Sequence, residues 1–412
     1  MCSSAQEGNG AALKGIAIVL GALALVAGAA GATRTDPGVT STSVKIGGTV
    51  PLSGVAAAYA SVGRGADAYF KYVNDTRGGV RGRKIDYEFL DDAYDPSKTV
   101  DQTRRLLGED HVFAVFNSLG TEQNLAVRAL LNQAKVPQVF VASGGLTFGR
   151  DYKQYPYTIG FLPTYVAEGT IYGKYLRAQK RKATVAVLYQ DDDFGKEMLR
   201  GLQKGLAGKG RIVAKQGYDP TASDVYSQIS SLRSSRANTL LIAATPRYAI
   251  QAYIQVNKLG WKPQILVGQV SSASNVMNIV QSSVGKLADG SISIGFVKDP
   301  GDPRFKKDKV VALYRKILKK YEPGADVNDV YHVYAMAVAY EFVNALAHAG
   351  NPPTRAGLLR AVTHMNDKKN PFLYPGIVVH TTPTNRFPIT QAQVIRWHNG
   401  HWNAVGRLLS AR

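Results

Sequence analysis

Residues 112–145, VFAVFNSLGTEQNLAVRALLNQAKVPQVFVASGG, contain the pattern that decides the fold. The stretch opens with five apolar residues, which are too few and too rich in β-formers for a helix and predict a strand. Apolar residues then recur with the i, i+3, i+4, i+7 spacing of one helix face, and Val136-Pro137 ends that helix. A second apolar strand follows at 139–142. The stretch predicts a βαβ unit with parallel strands, which needs helices on both faces of its sheet.

Small hydroxyl residues follow both predicted strands at their carboxyl ends. Ser118 and Thr121 come after the first strand, and residues 143–145 after the second strand are Ser-Gly-Gly. In open α/β sheets the ligand lies beyond the carboxyl ends of the strands. Free N–H groups at nearby helix N-termini favour a carboxylate or another anion there. The alternative is that Thr121 is only the N-cap of its helix.

Composition limits the classes of protein to which this chain can belong. A chain of 412 residues suggests two or three domains, and its 45% hydrophobic and 19% charged residues are ordinary for a soluble globular protein. The single cysteine, Cys2, excludes an intrachain disulfide and a four-cysteine zinc site. The net charge of +20 is compatible with an anionic partner or with solubility alone. No RNA-binding aromatic pattern or recognition-helix pattern accompanies it, so we expect no nucleic-acid partner.

The N-terminal segment has the pattern of an export signal. Lys14 precedes an uncharged run at 15–32, and Ala-Gly-Ala at 30–32 fits a cleavage site. An uncleaved membrane anchor is the alternative, because the run is close to the length that spans a bilayer. Residues 26–29 resemble a lipoprotein box with alanine in place of the lipidated cysteine. We predict a signal peptide or anchor at 1–32, a tether at 33–43 and an extracytoplasmic domain.

From residue 44 onward, predicted strands and helices alternate. One βα set includes the βαβ unit, and a second begins with a strand at 183–189 and ends with one at 291–295. Three helical segments and a hairpin follow, and the hairpin turn, Asn399-Gly400, is typical of type I′. These sets predict an α/β fold with two Rossmann-like lobes that face each other across a cleft. We assign 44–162 plus 296–379 to lobe 1 and 163–295 plus 380–412 to lobe 2.

Patterns typical of enzymes and metal sites are absent or weak. The sequence contains no G-x-S-x-G elbow, P-loop or H-E-x-x-H motif. Residues 63–68 match G-x-G-x-x-A, but they lie too far from the preceding strand for a dinucleotide site, so helix packing explains them better. The acids at 191–193 are more typical of a helix N-terminus than of a metal site. His398 and His401 flank the hairpin turn, where we expect both to be solvated.

Taken in order, the motifs resemble the type I periplasmic-binding-protein-like family, in particular the leucine/isoleucine/valine-binding branch of ABC importers. The resemblance covers roughly residues 44–406. It implies two lobes, joined by three crossovers, that close on a small molecule and deliver it to a membrane permease. The motifs that carry it are IGGTVPLSG at 46–54, GGVRGRKI at 78–85, FNSLGT at 116–121, VPQVFVASGG at 136–145, VAVLYQDDDFGKE at 185–197, LGWKP at 259–263 and LYPGIVV at 373–379.

The resemblance also implies a set of ligand contacts. Family members hold the ligand carboxylate with a hydroxyl after the third strand, and Thr121 has that position here. Donors after the next strand correspond to Ala142, Ser143 and Gly144. The aromatic residue of the acidic turn covers the ligand from the second lobe, and it corresponds to Phe194.

Other predicted contacts come from the remaining loops. Tyr59 is expected to stack on the ligand or to anchor its loop, and Tyr165 to line the cleft or to pack in the core. In amino-acid binders the loop after strand 264–267 carries an acid that holds the ammonium, but here it is GQVSS. This difference favours a carboxylate ligand without an ammonium, unless the acids at 191–193 compensate. The predicted ligand-binding residues are Ser53, Tyr59, Thr121, Ala142, Ser143, Gly144, Tyr165, Phe194, Ala244, Thr245 and Gln269.

The sequence therefore predicts a solute-binding protein of an ABC importer, not an enzyme. The predicted ligand is a small carboxylate-bearing molecule, either an amino acid or an aromatic or aliphatic acid. No metal or cofactor is predicted, and the expected partners are this ligand and a membrane permease. The alternatives are the ligand-sensing component of a receptor system, a periplasmic α/β enzyme, and a cleft that binds another protein.

Overall fold

The computed structural model describes residues 35–179 and 182–410. The predicted signal peptide or anchor at 1–32 lies outside the described residues. Within those two ranges, no helix is both long enough and apolar enough to cross a membrane.

The first lobe is built on a parallel sheet that contains the predicted βαβ unit. Its strands are β1 (Ser43–Val50), β2 (Lys84–Asp91), β3 (Val115–Phe116), β4 (Gln138–Val141) and β5 (Thr158–Gly160). They are arranged in the order β2-β1-β3-β4-β5. Strand β1 pairs with β2 over its whole length, from Ser43 opposite Lys84 to Val50 opposite Asp91. The inner strands β3 and β4 are buried throughout, as expected for a parallel sheet with helices on both faces.

The second lobe is built on a mixed sheet, parallel except for an antiparallel hairpin at one edge. In the described residues the strand order is β14-β13-β10-β9-β8-β6-β7. Turn residues Asn399 and Gly400 have φ of 52° and 78°, as a type I′ turn requires, so the predicted hairpin is confirmed. The strands of this sheet are β6 (Thr184–Gln190), β7 (Arg211–Tyr218), β8 (Thr239–Ala243), β9 (Gln264–Val267), β10 (Ile292–Gly295), β13 (Gln391–His398) and β14 (His401–Ser410). A separate short ladder consists of β11 (Asn366–Asp367) and β12 (Val379–His380).

The helices connect these strands and cover the two sheets. They are α1 (Ala60–Arg77), α2 (Pro96–Gly108), α3 (Thr121–Gln133), α4 (Thr147–Arg150), α5 (Tyr165–Arg177), α6 (Asp193–Leu206), α7 (Tyr226–Ser234), α8 (Pro246–Lys258), α9 (Ser274–Val284), α10 (Lys309–Tyr321), α11 (Val330–Ala347) and α12 (Arg355–Val362). Helix α11 is apolar around most of its circumference and buried, and it packs on α1 of the first lobe. This packing explains the small residues at 63–68, because a Cβ at Gly65 would lie 2.9 Å from the Cα of His332 in α11.

Several boundaries differ from the sequence predictions. Only Val115 and Phe116 of the apolar run at 112–116 form β3. The Phe113 N–H donates to the Lys45 carbonyl at 2.7 Å and the Ala114 carbonyl accepts the Gly47 N–H at 3.0 Å, so the start of the run still contacts β1. Asp95 is the N-cap of α2, and its side chain accepts the N–H of Ser97. The predicted division of the chain into lobes at 162/163, 295/296 and 379/380 stays a prediction.

Candidate functional site

A cavity lies where the carboxyl ends of the two sheets face each other. Loops after β3 and β4 of the first lobe and after β6, β8 and β9 of the second lobe line it. The empty space between its walls is about 870 Å³ and includes open solvent. Because ligands bind at this edge of open parallel sheets, the cavity is the candidate ligand site.

Aromatic side chains are prominent in the cavity wall. Tyr59 and Tyr331 pack edge to face with ring centroids 5.1 Å apart, and the rings of Tyr165 and Phe194 are 4.6 Å apart. Such a wall gains free energy when it buries an apolar ligand. The aromatic residues that line the cavity are Tyr59, Tyr94, Tyr165, Phe194, Phe296, Tyr331, Tyr334, Tyr374 and Trp402.

Several helices begin at the cavity wall. Among them, α3, α8 and α9 have no side chain that caps their N-terminal N–H groups, whereas α6 and α11 are capped by Asp192 and Asp329. Uncapped helix N-termini favour an anion through the helix dipole and the free N–H groups. The cavity-lining residues within two positions of a helix start are Tyr59, Val62, Tyr94, Leu119, Gly120, Tyr165, Phe194, Thr245, Ser272, Ala273, Val330 and Tyr331.

Charged side chains are nearly absent from the wall. Within the described part of the chain, Asp299 is the one acidic residue that lines the cavity, and no lysine, arginine or histidine lines it. The Asp299 carboxylate accepts the Ser274 hydroxyl and, at 2.8 Å, the Gly301 N–H. Burial raises the pKa of Asp299 to about 6. Hydrogen bonds and helix N-termini, not an ion pair, would hold a ligand carboxylate here.

Two predicted hydroxyl residues meet behind the cavity wall. The Oγ atoms of Thr121 and Ser143 are 2.8 Å apart, and Ser143 Oγ accepts the N–H of Gly145 at 3.0 Å. Gly120, not Thr121, is the N-cap of α3, so the alternative that Thr121 is only an N-cap is wrong. Neither Thr121 nor Ser143 lines the cavity.

Tyr165 lines the cavity and packs against Gly144. Its N–H donates to the Gly144 carbonyl at 2.9 Å, and its ring lies so close to Gly144 that a Cβ there would be 2.9 Å from Cδ1. Burial raises the pKa of Tyr165 to about 12. The phenol is therefore neutral at pH 7.

The loop after β9 is held in the cavity wall by hydrogen bonds from the first lobe. The hydroxyls of Tyr59 and Tyr331 donate to the Val270 carbonyl at 3.0 and 2.7 Å. Gln269 next to it lines the cavity, and its N–H donates to the buried carboxylate of Glu168 at 2.6 Å. Burial raises the pKa of Glu168 to about 7. Tyr59 thus both lines the cavity and anchors a loop of the opposite lobe.

Two further hydrogen bonds join the lobes beside the cavity. The N–H of Leu146 in the first lobe donates to Glu197 Oε2 of α6 at 2.8 Å. In the reverse direction, the N–H of Asp193 donates to Glu122 Oε1 of α3 at 3.2 Å. Burial raises the pKa of Glu197 to about 7, while the Leu146 N–H opposes that increase. These contacts describe a closed arrangement of the two lobes.

The remaining predicted contacts have mixed positions. Ala142 and Thr245 line the cavity, whereas Ala244 lies behind the wall, where its carbonyl accepts the Ser271 hydroxyl at 2.5 Å. Ser53 is exposed and does not line the cavity. Its hydroxyl donates to Asp91 Oδ2 at 2.6 Å. The predicted residues that line the cavity are Tyr59, Ala142, Tyr165, Phe194, Thr245 and Gln269.

The acidic turn at 191–193 does not converge on a shared point. Asp191 pairs with Lys196 at 3.1 Å, and Asp192 caps α6 by accepting the N–H of Gly195 at 3.2 Å. The predicted role of these acids at a helix N-terminus is confirmed for Asp192. In residues 35–179 and 182–410, no group of three or more His, Cys, Asp or Glu residues is placed to hold a metal ion.

Several residues of the cavity wall were not predicted from the sequence. Tyr331 and Tyr334 lie on α11, which is apolar nearly all round, so its periodicity does not identify the face toward the cavity. Asp299 follows β10, one strand beyond the loop in which the family resemblance implies an acid for amino-acid binders. The other cavity-lining residues that were not predicted are Val62, Tyr94, Leu119, Gly120, Leu162, Val270, Ser272, Ala273, Ile294, Gly295, Phe296, Val297, Val330, Tyr374, Ile395 and Trp402.

The sequence of this chain matches a known protein family over most of its length. The profile of the periplasmic binding protein family matches residues 43–401, which is most of the chain. The chain belongs to the periplasmic binding protein family. The family resemblance predicted from the motifs is thus confirmed, as is the α/β fold with two Rossmann-like lobes.

The sequence identity between this chain and individual relatives is low. A Leu/Ile/Val-binding protein homolog 7 from Brucella abortus (strain 2308) is 27% identical over 237 residues, which are 55% of this chain and 59% of that protein. The match thus spans about three-fifths of that relative. A Leu/Ile/Val-binding protein homolog 1 from Brucella suis biovar 1 is 25% identical over 321 residues, covering 75% of this chain and 79% of the relative.

Solved structures of similar fold include binders of different ligands. A fatty acid ABC transporter substrate-binding protein from Thermomonospora curvata has a TM-score of 0.77 at 22% identity, covering 92% of this chain and 95% of that chain. A branched chain amino acid ABC transporter from Thermus thermophilus with bound valine also has a TM-score of 0.77, at 17% identity, covering 90% and 97%. At such identities the likeness establishes the fold alone.

Proposed function

We propose that this protein is the extracytoplasmic substrate-binding component of an ABC importer of the branched-chain amino-acid type. Its ligand in this proposal is an aromatic or aliphatic carboxylic acid that is enclosed between the two lobes. The family assignment supports a binding role, an extracytoplasmic location and delivery to a membrane permease. The Brucella relatives, described as Leu/Ile/Val-binding protein homologues, support the same role.

The observation that carries the choice of ligand is the composition of the cavity wall. Aromatic rings surround the cavity, uncapped N-termini of α3, α8 and α9 begin at it, and among described residues no basic side chain lines it. The rings favour an apolar ligand body, and the helix N-termini favour one anionic group. A carboxylic acid with an apolar body combines both features.

The scarcity of carboxylates in the cavity wall supports an acid over an amino acid. Asp299 is the one carboxylate among the described residues that line the cavity, and it already accepts the Ser274 hydroxyl and the Gly301 N–H. An α-ammonium buried in the cavity would need a carboxylate or several acceptors close to the ligand carboxylate. The loop after β9, which carries the acid in amino-acid binders, has Gln269 instead.

A non-catalytic role is part of the proposal. The side chains of Thr121 and Ser143, which contact each other, and of Tyr165 carry neutral hydroxyls. The described residues that line the cavity include no histidine or cysteine. A nucleophile among these hydroxyls would need an adjacent base to activate it. Binding without turnover is therefore the activity that this chemistry supports.

A thermal-shift screen followed by isothermal titration tests the ligand class. The panel is leucine, isoleucine, valine and phenylalanine against phenylacetate, benzoate, hexanoate and octanoate. A ligand at 100 times its Kd adds roughly 2.7 kcal/mol to the free energy of unfolding, so its binding raises Tm. We expect at least one acid, and no amino acid, to raise Tm and to bind in the titration without chemical change.

Two outcomes would contradict the proposal. Tighter binding of the amino acids than of the acids would show that Asp299 or another acceptor holds an ammonium. Turnover of a bound acid, detected by mass spectrometry of the recovered ligand, would show an enzyme. A primary amide of the best acid, such as octanamide for octanoate, is the matched control for the contribution of the negative charge.

A further inference from the structure

Asp299 is the one charged side chain among the described residues that line the cavity, and it is only 4% exposed. The Ser274 hydroxyl donates to its Oδ2, and the Gly301 N–H donates to its Oδ1 at 2.8 Å. An ionised carboxylate has about four lone-pair sites on its two oxygen atoms. These two donors leave about half of that capacity unused, and a buried charge without full pairing is costly. A ligand that donates to Asp299 would reduce that cost.

The Tyr374 hydroxyl is a second polar group of the same part of the wall. The Tyr374 N–H donates to the Phe296 carbonyl at 2.9 Å, three residues before Asp299. Its ring lies against the cavity wall at Gly295, because a Cβ there would be 2.8 Å from Tyr374 Cε2 and 3.4 Å from the hydroxyl oxygen. Arg304 donates to this hydroxyl at 3.4 Å. Within the described ranges no acceptor takes the phenol proton, so the proton is available to a ligand.

The cavity is long enough to separate two polar groups of one ligand. In the second sheet, β10 is three strand spacings from β6, through β9 and β8, which is about 14 Å at the usual spacing of neighbouring strands. Phe194 follows β6, whereas Asp299 follows β10. On the β10 side the cavity continues to Ile395 of β13 and Trp402 of β14.

The uncapped start of α3 lies on the β6 side of the cavity, away from Asp299. Its first turn contacts the start of α6, where the Asp193 N–H donates to Glu122 Oε1 at 3.2 Å, and its N-cap Gly120 lines the cavity. At the start of α9, by contrast, Ser274 already bonds the Asp299 carboxylate. A second anion beside Asp299 would be repelled. The ligand carboxylate is therefore favoured at the α3 end and disfavoured at the α9 end.

We propose that the ligand is a hydroxy acid, with its carboxylate near the start of α3 and its hydroxyl, at the far end of an apolar body, between Asp299 and Tyr374. This inference rests on the proposed function and names a narrower class of acid for the same site. A hydroxyl suits both groups, because it can donate to the carboxylate and accept from the phenol. An ammonium could only donate.

Isothermal titration with matched pairs of acids tests the inference, at pH 8 where Asp299 is ionised. The pairs are hexanoate and 6-hydroxyhexanoate, octanoate and 8-hydroxyoctanoate, and phenylacetate and 4-hydroxyphenylacetate. In an apolar wall the added hydroxyl would weaken binding, because it would lose its hydrogen bonds to water. We expect at least one hydroxy acid to bind about 10- to 100-fold more tightly than its parent, because its hydroxyl bonds an ionised acceptor.

Substitutions of Asp299 test which group reads the hydroxyl. D299L removes the acceptor at similar size, so it should abolish the preference for the hydroxy acid and change the affinity for the parent acid only a few-fold. D299N keeps an acceptor oxygen without the charge and should retain a smaller preference. D92N is the matched control and should keep the full preference. Asp92 is also buried and accepts one hydroxyl and one N–H, from Thr99 and Tyr94, each at 3.0 Å, but it does not line the cavity.

Thermal melts of all variants establish that they fold, and each binding result bears on the inference. If every parent acid binds the wild type at least as tightly as its hydroxy form, the inference is overturned while the proposed function stands. An undiminished preference in folded D299L and D299N would remove Asp299 from the contact. Tighter binding of 8-aminooctanoate than of 8-hydroxyoctanoate would replace the hydroxyl with an ammonium. If no acid of either kind binds the wild type, the proposed function itself fails.

Discussion

Thr121 illustrates how a residue can affect ligand binding without touching the ligand. Its hydroxyl is buried 2.8 Å from Ser143 Oγ, and Thr121 does not line the cavity. Thr121→Val preserves the shape and removes the hydroxyl, so the hydrogen bond to Ser143 behind the cavity wall is lost. We expect affinity for the preferred acid to fall by a few-fold, since a neutral hydrogen bond contributes about 0.5–1.5 kcal/mol. Titration calorimetry measures this effect.

Thr121→Ser is the control for that substitution, because it keeps the hydroxyl. It should bind nearly as tightly as the wild type, and both variants should unfold cooperatively. Unchanged affinity of Thr121→Val in a folded protein would remove Thr121 from any role in binding.

Gly120 is the residue whose backbone places α3 at the cavity. It has φ of +107° and ψ of 151°, a conformation that is essentially restricted to glycine. A Cβ there would also lie 2.0 Å from Gln123 Oε1. We expect Gly120→Ala to lower the free energy of unfolding by about 1–3 kcal/mol and to weaken ligand binding. Urea unfolding monitored by circular dichroism measures the first effect.

Gly260→Ala separates backbone strain from collision. Gly260 also has a positive φ, 58°, but a Cβ there would meet no atom within 4 Å. It should cost no more than about 1 kcal/mol and leave binding unchanged. Equal destabilisation by the two substitutions would mean that the contact with Gln123 has no effect.

Single residues also show where prediction from sequence ends. Thr245 and Phe194 could be assigned to the cavity from the family resemblance, because the loops that carry them follow recognisable strands and could be matched to the family. Tyr334 could not, because it lies on a helix without a polar face, and only tertiary packing decides which side meets the cavity. Asp299 could not either, since no local pattern distinguishes a buried acid from an exposed one in a turn.

At the scale of elements, the same limit appears in strand and helix lengths. Strand β9 was predicted at 264–267 and is found there, because a run of four residues between turn residues is of strand length and too short for a helix. Strand β3 is shorter than its apolar run, and the apolar pattern alone does not predict this difference. Pattern therefore predicts which elements exist better than where they stop.

A hydrogen bond between α6 and the loop after β4 joins the two lobes beside the cavity. Glu197 accepts the Leu146 N–H at 2.8 Å only while the lobes are together. Glu197→Ala removes a bond of the closed form and none between the lobes in an open form. Ligand binds the closed form, so the change should weaken apparent affinity by about 10-fold through the population of that form. Titration calorimetry gives the affinity, and small-angle scattering gives the degree of closure.

Glu109→Ala is the control for Glu197→Ala, because Glu109 is 77% exposed and lies away from the cavity. It should change neither affinity nor closure. If Glu197→Ala binds like the wild type and scatters like it with ligand, the contact does not contribute to closure.

At the scale of the whole molecule, buried carboxyl groups set the dependence of stability on pH. Burial is the largest cause of the raised pKa of each Asp and Glu side chain that is named at the end of this paragraph. A carboxyl with a raised pKa in the folded state favours the protonated form. Its destabilising effect is absent below the unfolded value near 4 and is complete above the folded pKa. The groups are Asp92, Asp192, Asp299 and Asp329 at about 6, Glu168 and Glu197 at about 7, and Glu341 at about 8.

Other carboxyl groups act in the opposite direction at lower pH. The Arg150 side chain lowers the pKa of Asp151, and hydrogen bonds from Thr221 lower that of Asp219. Their stabilisation is present above the unfolded value and is lost as the pH falls through the lowered pKa. We expect Tm to be highest near about pH 4 and to decline from there to about pH 8, because the carboxyls with raised pKa lose their protons in the folded state over that range. Calorimetric scans across pH measure this profile, and a Tm that rises from pH 6 to 9 would contradict it.

Glu341 allows one contribution to this profile to be isolated. Its side chain is fully buried, Oε1 accepts the Asn370 amide at 2.8 Å, and Oε2 has no partner within the described residues. Glu341→Gln keeps the shape and the Asn370 contact but cannot ionise. The variant should therefore gain stability relative to the wild type as the pH rises from 6 to 9, by roughly 1–3 kcal/mol, while the exposed control Glu109→Gln should not. A difference from the wild type that is the same at every pH would show that Glu341 does not titrate in the folded protein.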